Sequence, residues 1–204
     1  MIDNFEKKTL VRKVIPALTE VMKEPSLSAA VLNNIFHILH KDKFITTTEF
    51  RAVVWPAMIN LCRSKELPAQ TLFLLLKYSE LILKFVSPNE FASNLMPLMQ
   101  KSLECGVPKL QLLALEQIFK LFKSLDYGTF KTNLIPRMMK ILEETQSMEV
   151  RIRCLQTIHD LQESIDVNTI KQGIFKAFEK LRSSRELDSQ VSMLMLKIYK
   201  KSSD

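Results

Sequence analysis

The chain has 204 residues, 47% of them apolar, a formal net charge of +7, three cysteines and only three glycines. That composition supports a continuous core, provides few backbone loops able to cradle a phosphate, and argues for reduced thiols in a cytosolic setting rather than a disulfide framework. No apolar run approaches the roughly 18 residues of a spanning helix, because Lys77 and Lys84 interrupt the richest stretch, and the charged residues 1–10 do not form a signal peptide.

The first expected helix follows Asp3 and carries the phrase Val14-Ile15-Pro16-Ala17-Leu18. The phrase returns as Val54-Trp55-Pro56-Ala57-Met58, Leu95-Met96-Pro97-Leu98-Met99 and Leu134-Ile135-Pro136-Arg137-Met138, at intervals of 39 to 41 residues. A fifth copy, Gly173-Ile174-Phe175-Lys176-Ala177, places Phe175 in the proline slot. A fixed period near 40 means one structural unit repeated and stacked on its neighbours. The expected fold is therefore all-α: a right-handed α-solenoid of five HEAT-like helical hairpins. As a single array, it spans residues 1–45, 46–86, 87–126, 127–165 and 166–204.

Within each copy the first helix begins at a cap-forming residue: Asp3, Thr46, Ser87, Asp126 or Asp166. Thr46 with Glu49, and Ser87 with Glu90, have capping-box spacing; Asp3 with Glu6 is a looser variant. Pro88 stands at a first helical position, where its missing N–H costs nothing. The repeated proline comes about ten residues past the cap, deep enough to remove a backbone hydrogen bond and kink each helix. Leu10, Phe50, Phe91 and Phe130 precede it by six residues, and Thr169 departs from that pattern. The second helices are expected near 27–41, 68–86, 108–125, 148–164 and 187–201, with Pro68 and Pro108 in opening turns. They are apolar on most sides, as helices buried between neighbours are. Residues 181–188 form the most polar connection.

The period, the first-helix proline and Val150-Arg151 at the start of a second helix resemble HEAT repeats. More specifically, the chain resembles the HEAT region that follows the kinase-like domain of the Scy-like pseudokinases, and within them the branch associated with clathrin-coated vesicles. The carrying residues are Val14-Ile15-Pro16-Ala17-Leu18 with the Glu20 and Pro25 beyond it, and Thr71-Leu72-Phe73-Leu74-Leu75-Leu76-Lys77-Tyr78-Ser79-Glu80-Leu81-Ile82. Lys84-Phe85-Val86-Ser87-Pro88-Asn89-Glu90 and Asn133-Leu134-Ile135-Pro136-Arg137 complete the set. The resemblance implies a trafficking scaffold in which the repeats lie between a degenerate kinase domain and a tail that engages clathrin and its adaptors. It implies a middle segment whose solenoid continues past Asp204. It also implies a cytoplasmic location, peripheral to Golgi, endosomal or coated-vesicle membranes.

Catalytic chemistry has little to work with. His37 and His40 are one turn apart, but Asp42 is the one further ligand nearby and His159 is three copies away, so no metal is expected. Cys154, close to Arg151 and Arg153, reads as a buried structural thiol on a Leu- and Ile-rich helix. The Gly-rich loop, strand lysine and metal-binding aspartates of a kinase are not present in the sequence, and no cofactor is expected. Trp55 occupies an apolar slot and reads as core; Met58, Met96, Met99, Met138 and Met139 read as gap-fillers around the prolines, and Glu143-Glu144 as solvated acids.

That leaves binding. The charged residues that break the apolar second helices are Lys77, Lys84, Lys120, Lys123, Arg151 and Arg153, the candidate contacts for a protein partner such as a clathrin adaptor or coat component. Membrane contact is expected to be peripheral or indirect. The positive excess lies at both ends of the chain and vanishes over residues 87–165, so no nucleic-acid partner is expected. A nucleic-acid-binding array, or a solenoid in another transport or assembly role, remains the alternative. Residues 187–204 are expected to fray or to pack against a second copy, since a terminal repeat without a polar cap exposes an apolar face.

Overall fold

The computed structural model describes residues 7–40, 45–183 and 188–202. Among them every regular element is helical. The chain divides into two compact units, Met1–Leu98 and Met99–Asp204.

In the first unit, α1 (Lys7–Thr9), a π-helical turn Leu10–Val14 and α2 (Ile15–Val21) run on from one another, and α3 (Pro25–His40) comes next. The second copy repeats the plan with α4 (Thr47–Glu49), a π turn Phe50–Val54 and α5 (Trp55–Cys62). Its second helix is split at Tyr78 into α6 (Ala69–Lys77) and α7 (Ser79–Leu83). Helix α2 packs on α3 and on the π turn Phe50–Val54, and α3 packs on α6. Leu10, Phe36, Phe50 and Met58 are fully buried, and each side chain of that size contributes about 1.5–3 kcal/mol. Between α3 and α6 the Thr71 hydroxyl meets Ser28 Oγ at 2.7 Å, while Ser28 donates to the Pro25 carbonyl, so two buried hydroxyls satisfy one another.

Helix α8 (Pro88–Glu104) includes the boundary between the units. The second unit continues with α9 (Pro108–Leu121), α10 (Tyr127–Asn133) and α11 (Ile135–Glu144), then α12 (Met148–Leu161). It ends with α13 (Val167–Thr169), a π turn Ile170–Ile174, α14 (Phe175–Ser183) and α15 (Ser189–Lys201). Helix α12 packs against both α9 and α15, and α11 against both α12 and α14. Gly106 has φ +69° in the turn after α8, a left-handed position that glycine fills without steric cost.

The expected caps form where they lie within the described residues. Glu49 N–H donates to Thr46 Oγ1 and Thr46 N–H returns to Glu49 Oε2 at 2.7 Å, a complete capping box. Ser87 and Glu90 do the same. Asp126 and Asp166 accept from the N–H of Thr129 and Thr169. The Asp3–Glu6 pair lies outside the described residues, as does Asp42. Pro88 and Pro108 open α8 and α9; Pro68 is instead the cap residue before α6.

The proline expectation is corrected in two respects. It does not mark a kink of one kind. Before Pro16 and Pro56 the ladder widens to i→i−5, with Ile15 N–H donating to the Leu10 carbonyl and Trp55 N–H to Phe50. Pro97 lies inside the continuous helix α8, and Pro136 comes after the break at Leu134. The fifth copy is also one residue out of the register expected from the prolines. Counted from its cap Asp166, the residue four on is Ile170, buried like Phe50, Phe91 and Phe130, and the residue ten on is Lys176. Phe175 thus corresponds to Ile15 and Trp55, and Ile170, not Thr169, fills the apolar position.

Candidate interaction surface

Lys77 and Lys84 lie in the first unit, Lys120, Lys123, Arg151 and Arg153 in the second. Lys77 is exposed at the end of α6, its Nζ 5.4 Å from the centre of the Tyr78 ring. That ring stacks on Phe36 at 4.3 Å and takes His40 edge-on at 6.1 Å. The break between α6 and α7 therefore presents a half-buried aromatic with cationic and imidazole neighbours. Lys84 is exposed just after α7.

On α9 the exposed Lys120 pairs with Glu116, one turn earlier, at 2.6 Å, and Lys123 is exposed in the short turn beyond the helix. Arg153 is exposed on α12. Arg151 is different: it is half-buried and donates to the Thr145 carbonyl at 2.5 Å, bracing the turn between α11 and α12. Part of the positive charge read from the sequence as partner-facing is therefore engaged within the fold.

Burial separates the groups that could carry chemistry. His37 and His40 are both exposed on α3, and no group of three possible metal ligands occurs among the described residues. Cys154 is fully buried, its thiol directed at the Met138 carbonyl, and burial raises its pKa. Burial likewise pushes Cys62 up to about 12. Both are poor nucleophiles as they stand. Trp55 is buried and stacks on Phe50; Met58, Met96, Met99, Met138 and Met139 are all buried too. Glu143 and Glu144 are both exposed, and Glu143 receives Lys180 at 2.8 Å.

That last pair belongs to a set not anticipated from the sequence: ties between neighbouring copies. Arg51 reaches Glu90 at 2.8 Å, Arg63 reaches Asn94 at 3.2 Å, and Arg137 reaches Glu104 at 2.8 Å. Asp166 receives the Tyr127 hydroxyl at 2.5 Å and Lys131 at 2.9 Å. Tyr127, then Lys131 and Thr169, hold its carboxyl well below the usual carboxylate range. Several of these partners lie 35 to 39 residues apart, close to the repeat length, the signal that could have found them.

Two clefts occur at matching places in the repeat. One of about 310 Å³ lies around the turn after α8 and the end of α11, between Gln111, Arg137, Lys140, Glu104 and Glu144. Another of about 150 Å³ lies around the turns after α2 and α5 and includes Met22, Lys23, Asn60 and Glu66. Each mixes acidic with basic residues, and neither carries any of the six sequence-derived candidates. No helix among the described residues is long and apolar enough to cross a membrane.

No family model matches the chain. It is 26% identical over 200 residues to SCY1-like protein 2 of Homo sapiens and to that of Mus musculus, covering 98% of the chain and 21% of each relative. It is 19% identical over 201 residues to the protein kinase domain-containing protein ppk32 of Schizosaccharomyces pombe, covering 97% of the chain and 26% of that protein. The chain thus spans about a fifth to a quarter of the length of these relatives.

Proposed function

From the chain's relationship to the Scy-like pseudokinases, we propose that it is a non-catalytic protein-binding scaffold built as a HEAT-type α-solenoid. One observation carries this reading most strongly. Caps at Thr46, Ser87, Asp126 and Asp166, each with a buried apolar side chain four residues later, recur with a period of about 40 residues. A helix pair stacked on like pairs offers a long side surface and little enclosed volume, an architecture suited to holding partners.

In this reading the partners are proteins of clathrin- and adaptor-linked vesicle trafficking. The chain acts in the cytoplasm beside Golgi, endosomal or coated-vesicle membranes and meets them through those partners. The contact residues are Lys77, Lys84, Lys123 and Arg153, with Lys120 available on exchange of its exposed partner Glu116. Arg151, tied to the Thr145 carbonyl, is not counted among them. Affinity capture from cytosol with the folded chain as bait, read by mass spectrometry, tests this. Recovery of clathrin, adaptors or other coat proteins, reduced by Lys120→Glu with Lys123→Glu, is the expected result. Recovery unchanged by those reversals removes this surface, and recovery of no coat protein removes the trafficking role.

A further inference from the structure

The second unit treats its charges differently on its first and second helices. Along the first helices the cations are engaged by neighbouring copies: Arg137 by Glu104, Lys131 by Asp166 and Lys180 by Glu143. On the second helices α9 and α12 it is the acids that are answered within the fold: Glu116 by Lys120, Asp160 by His159 and Glu163 by Lys201. Glu149 stands in the first turn of α12, where the helix dipole favours an anion. Lys123 and Arg153 are exposed and join no ion pair among the described residues.

These cations border an apolar strip on a side of the unit that its own helices leave open. α12 is packed by α9, α15 and α11, with a copy present on each flank, and still exposes Ile152, Arg153, Gln156 and His159 in whole or part. A helix packed beyond α15 would not reach this side. Counted from the caps Val107 and Ser147, the same positions on α9 are Leu112, Leu113, Glu116 and Phe119. Leu112, Leu113 and Ile152 are half-buried. Phe119 is 49% exposed, the one exposed phenylalanine, tyrosine or tryptophan among the described residues. Two such strips joined about a twofold axis would set Lys123 and Arg153 against their own copies. Aliphatic Leu112 and Ile152 give a nucleic acid no ring to stack on, and two free cations give it few phosphate contacts. A large apolar side chain set between carboxylates matches both the strip and its border.

We propose that the open side of α9 and α12 docks an acidic segment of another protein. The segment's apolar side chain packs on Phe119, Leu112 and Ile152, and its Asp or Glu side chains meet Lys123 and Arg153. This rests on the scaffold reading and adds the partner's chemistry to it.

The test uses the full 204-residue chain and two synthetic peptides of about 12 residues, long enough to cross both helices. They share one Leu-Leu-Phe core and differ in having Glu or Lys on either side of it. Fluorescence anisotropy should give about tenfold tighter binding of the Glu peptide, weakening as salt rises. Phe119→Glu should abolish binding with unchanged helical circular dichroism, and Lys123→Glu with Arg153→Glu should invert the preference for Glu over Lys. Leu196→Glu, at the α15 counterpart of the buried Leu115 and Leu155, should leave binding as it is. Binding of neither peptide, binding that survives Phe119→Glu or is lost with Leu196→Glu, or a preference unmoved by the double reversal would overturn the proposal. So would a dimer in sedimentation, or capture of a DNA duplex or of phosphatidylserine vesicles, that Phe119→Glu disperses, since the strip would then serve a second copy, a nucleic acid or a lipid surface. Peptide binding without recovery of coat proteins would keep the acidic docking side and remove only its trafficking context. Recovery of coat proteins with no preference between the peptides would do the reverse.

Discussion

The second and third copies begin in the same way and then diverge. Each has a capping box, a buried phenylalanine four residues past the cap and a proline ten residues past it, yet the second turns through a π segment while the third runs as one α-helix. The fifth copy makes the π turn with Lys176 in the proline position. Proline is thus neither sufficient nor necessary for the widened turn. The feature common to these three copies is the buried residue four past the cap. In the first and second copies the last i→i−5 donor is the residue next to the proline. The missing N–H of Pro56 then falls at the first turn of a new α segment, where it costs least.

Substitution of the shared ring should have the largest effect. Phe50 is fully buried and meets Phe85 at a ring separation of 4.7 Å; Phe91 is also fully buried. Phe50→Ala and Phe91→Ala should each cost about 3–5 kcal/mol in urea denaturation. A loss near 1 kcal/mol at one alone would break the equivalence of the two copies.

The prolines themselves should then separate. Pro97→Ala restores a donor inside a regular helix and should stabilise the chain by about 1–3 kcal/mol, whereas Pro56→Ala should change it by less than about 1 kcal/mol. Equal gains would mean that the π turn gives Pro56 no relief. The reciprocal change, Lys176→Pro, writes the second copy's sequence into the fifth. It should cost under about 1 kcal/mol against the ~3 kcal/mol of an interior proline; the full penalty would show that the fifth turn is not the same structure.

The smallest effect concerns the caps, and pH reads it. Asp166 has a lowered pKa, so its contribution is present above the ordinary carboxylate value near 4 and is lost as pH falls towards the lower folded value. Melting temperatures measured from about pH 6 down to pH 2 should show a flatter acid side for Asp166→Asn than for the native chain. Parallel curves would remove Asp166 as a contributor to acid sensitivity.

Local chemistry made the caps legible, since Thr46 and Glu49 need only each other. The apolar stripes were legible because burial tracks helical period, and Trp55 and the five methionines around the prolines fell in the core accordingly. Counting from prolines misplaced the fifth copy by one residue; counting from Asp166 corrects it, because the cap fixes where the helix starts while the proline is merely tolerated further along it. The π turns had no residue code to betray them, as Leu10, Phe50 and Ile170 open such turns but Phe91 does not. Of the candidate surface, the exposure of Lys77 and Arg153 could be read from the pattern. The engagement of Arg151 with the Thr145 carbonyl depends on a backbone turn and could not.

Asp166 caps its own helix while Tyr127, at the head of the preceding copy, both donates to its carboxylate and accepts its backbone N–H at 2.9 Å. Fraying of α10 would therefore also unseat the start of α13. In hydrogen exchange, the amides of Asp166 and Thr169 should open together with those of α10 as one cooperative foldon, and Tyr127→Phe should uncouple them.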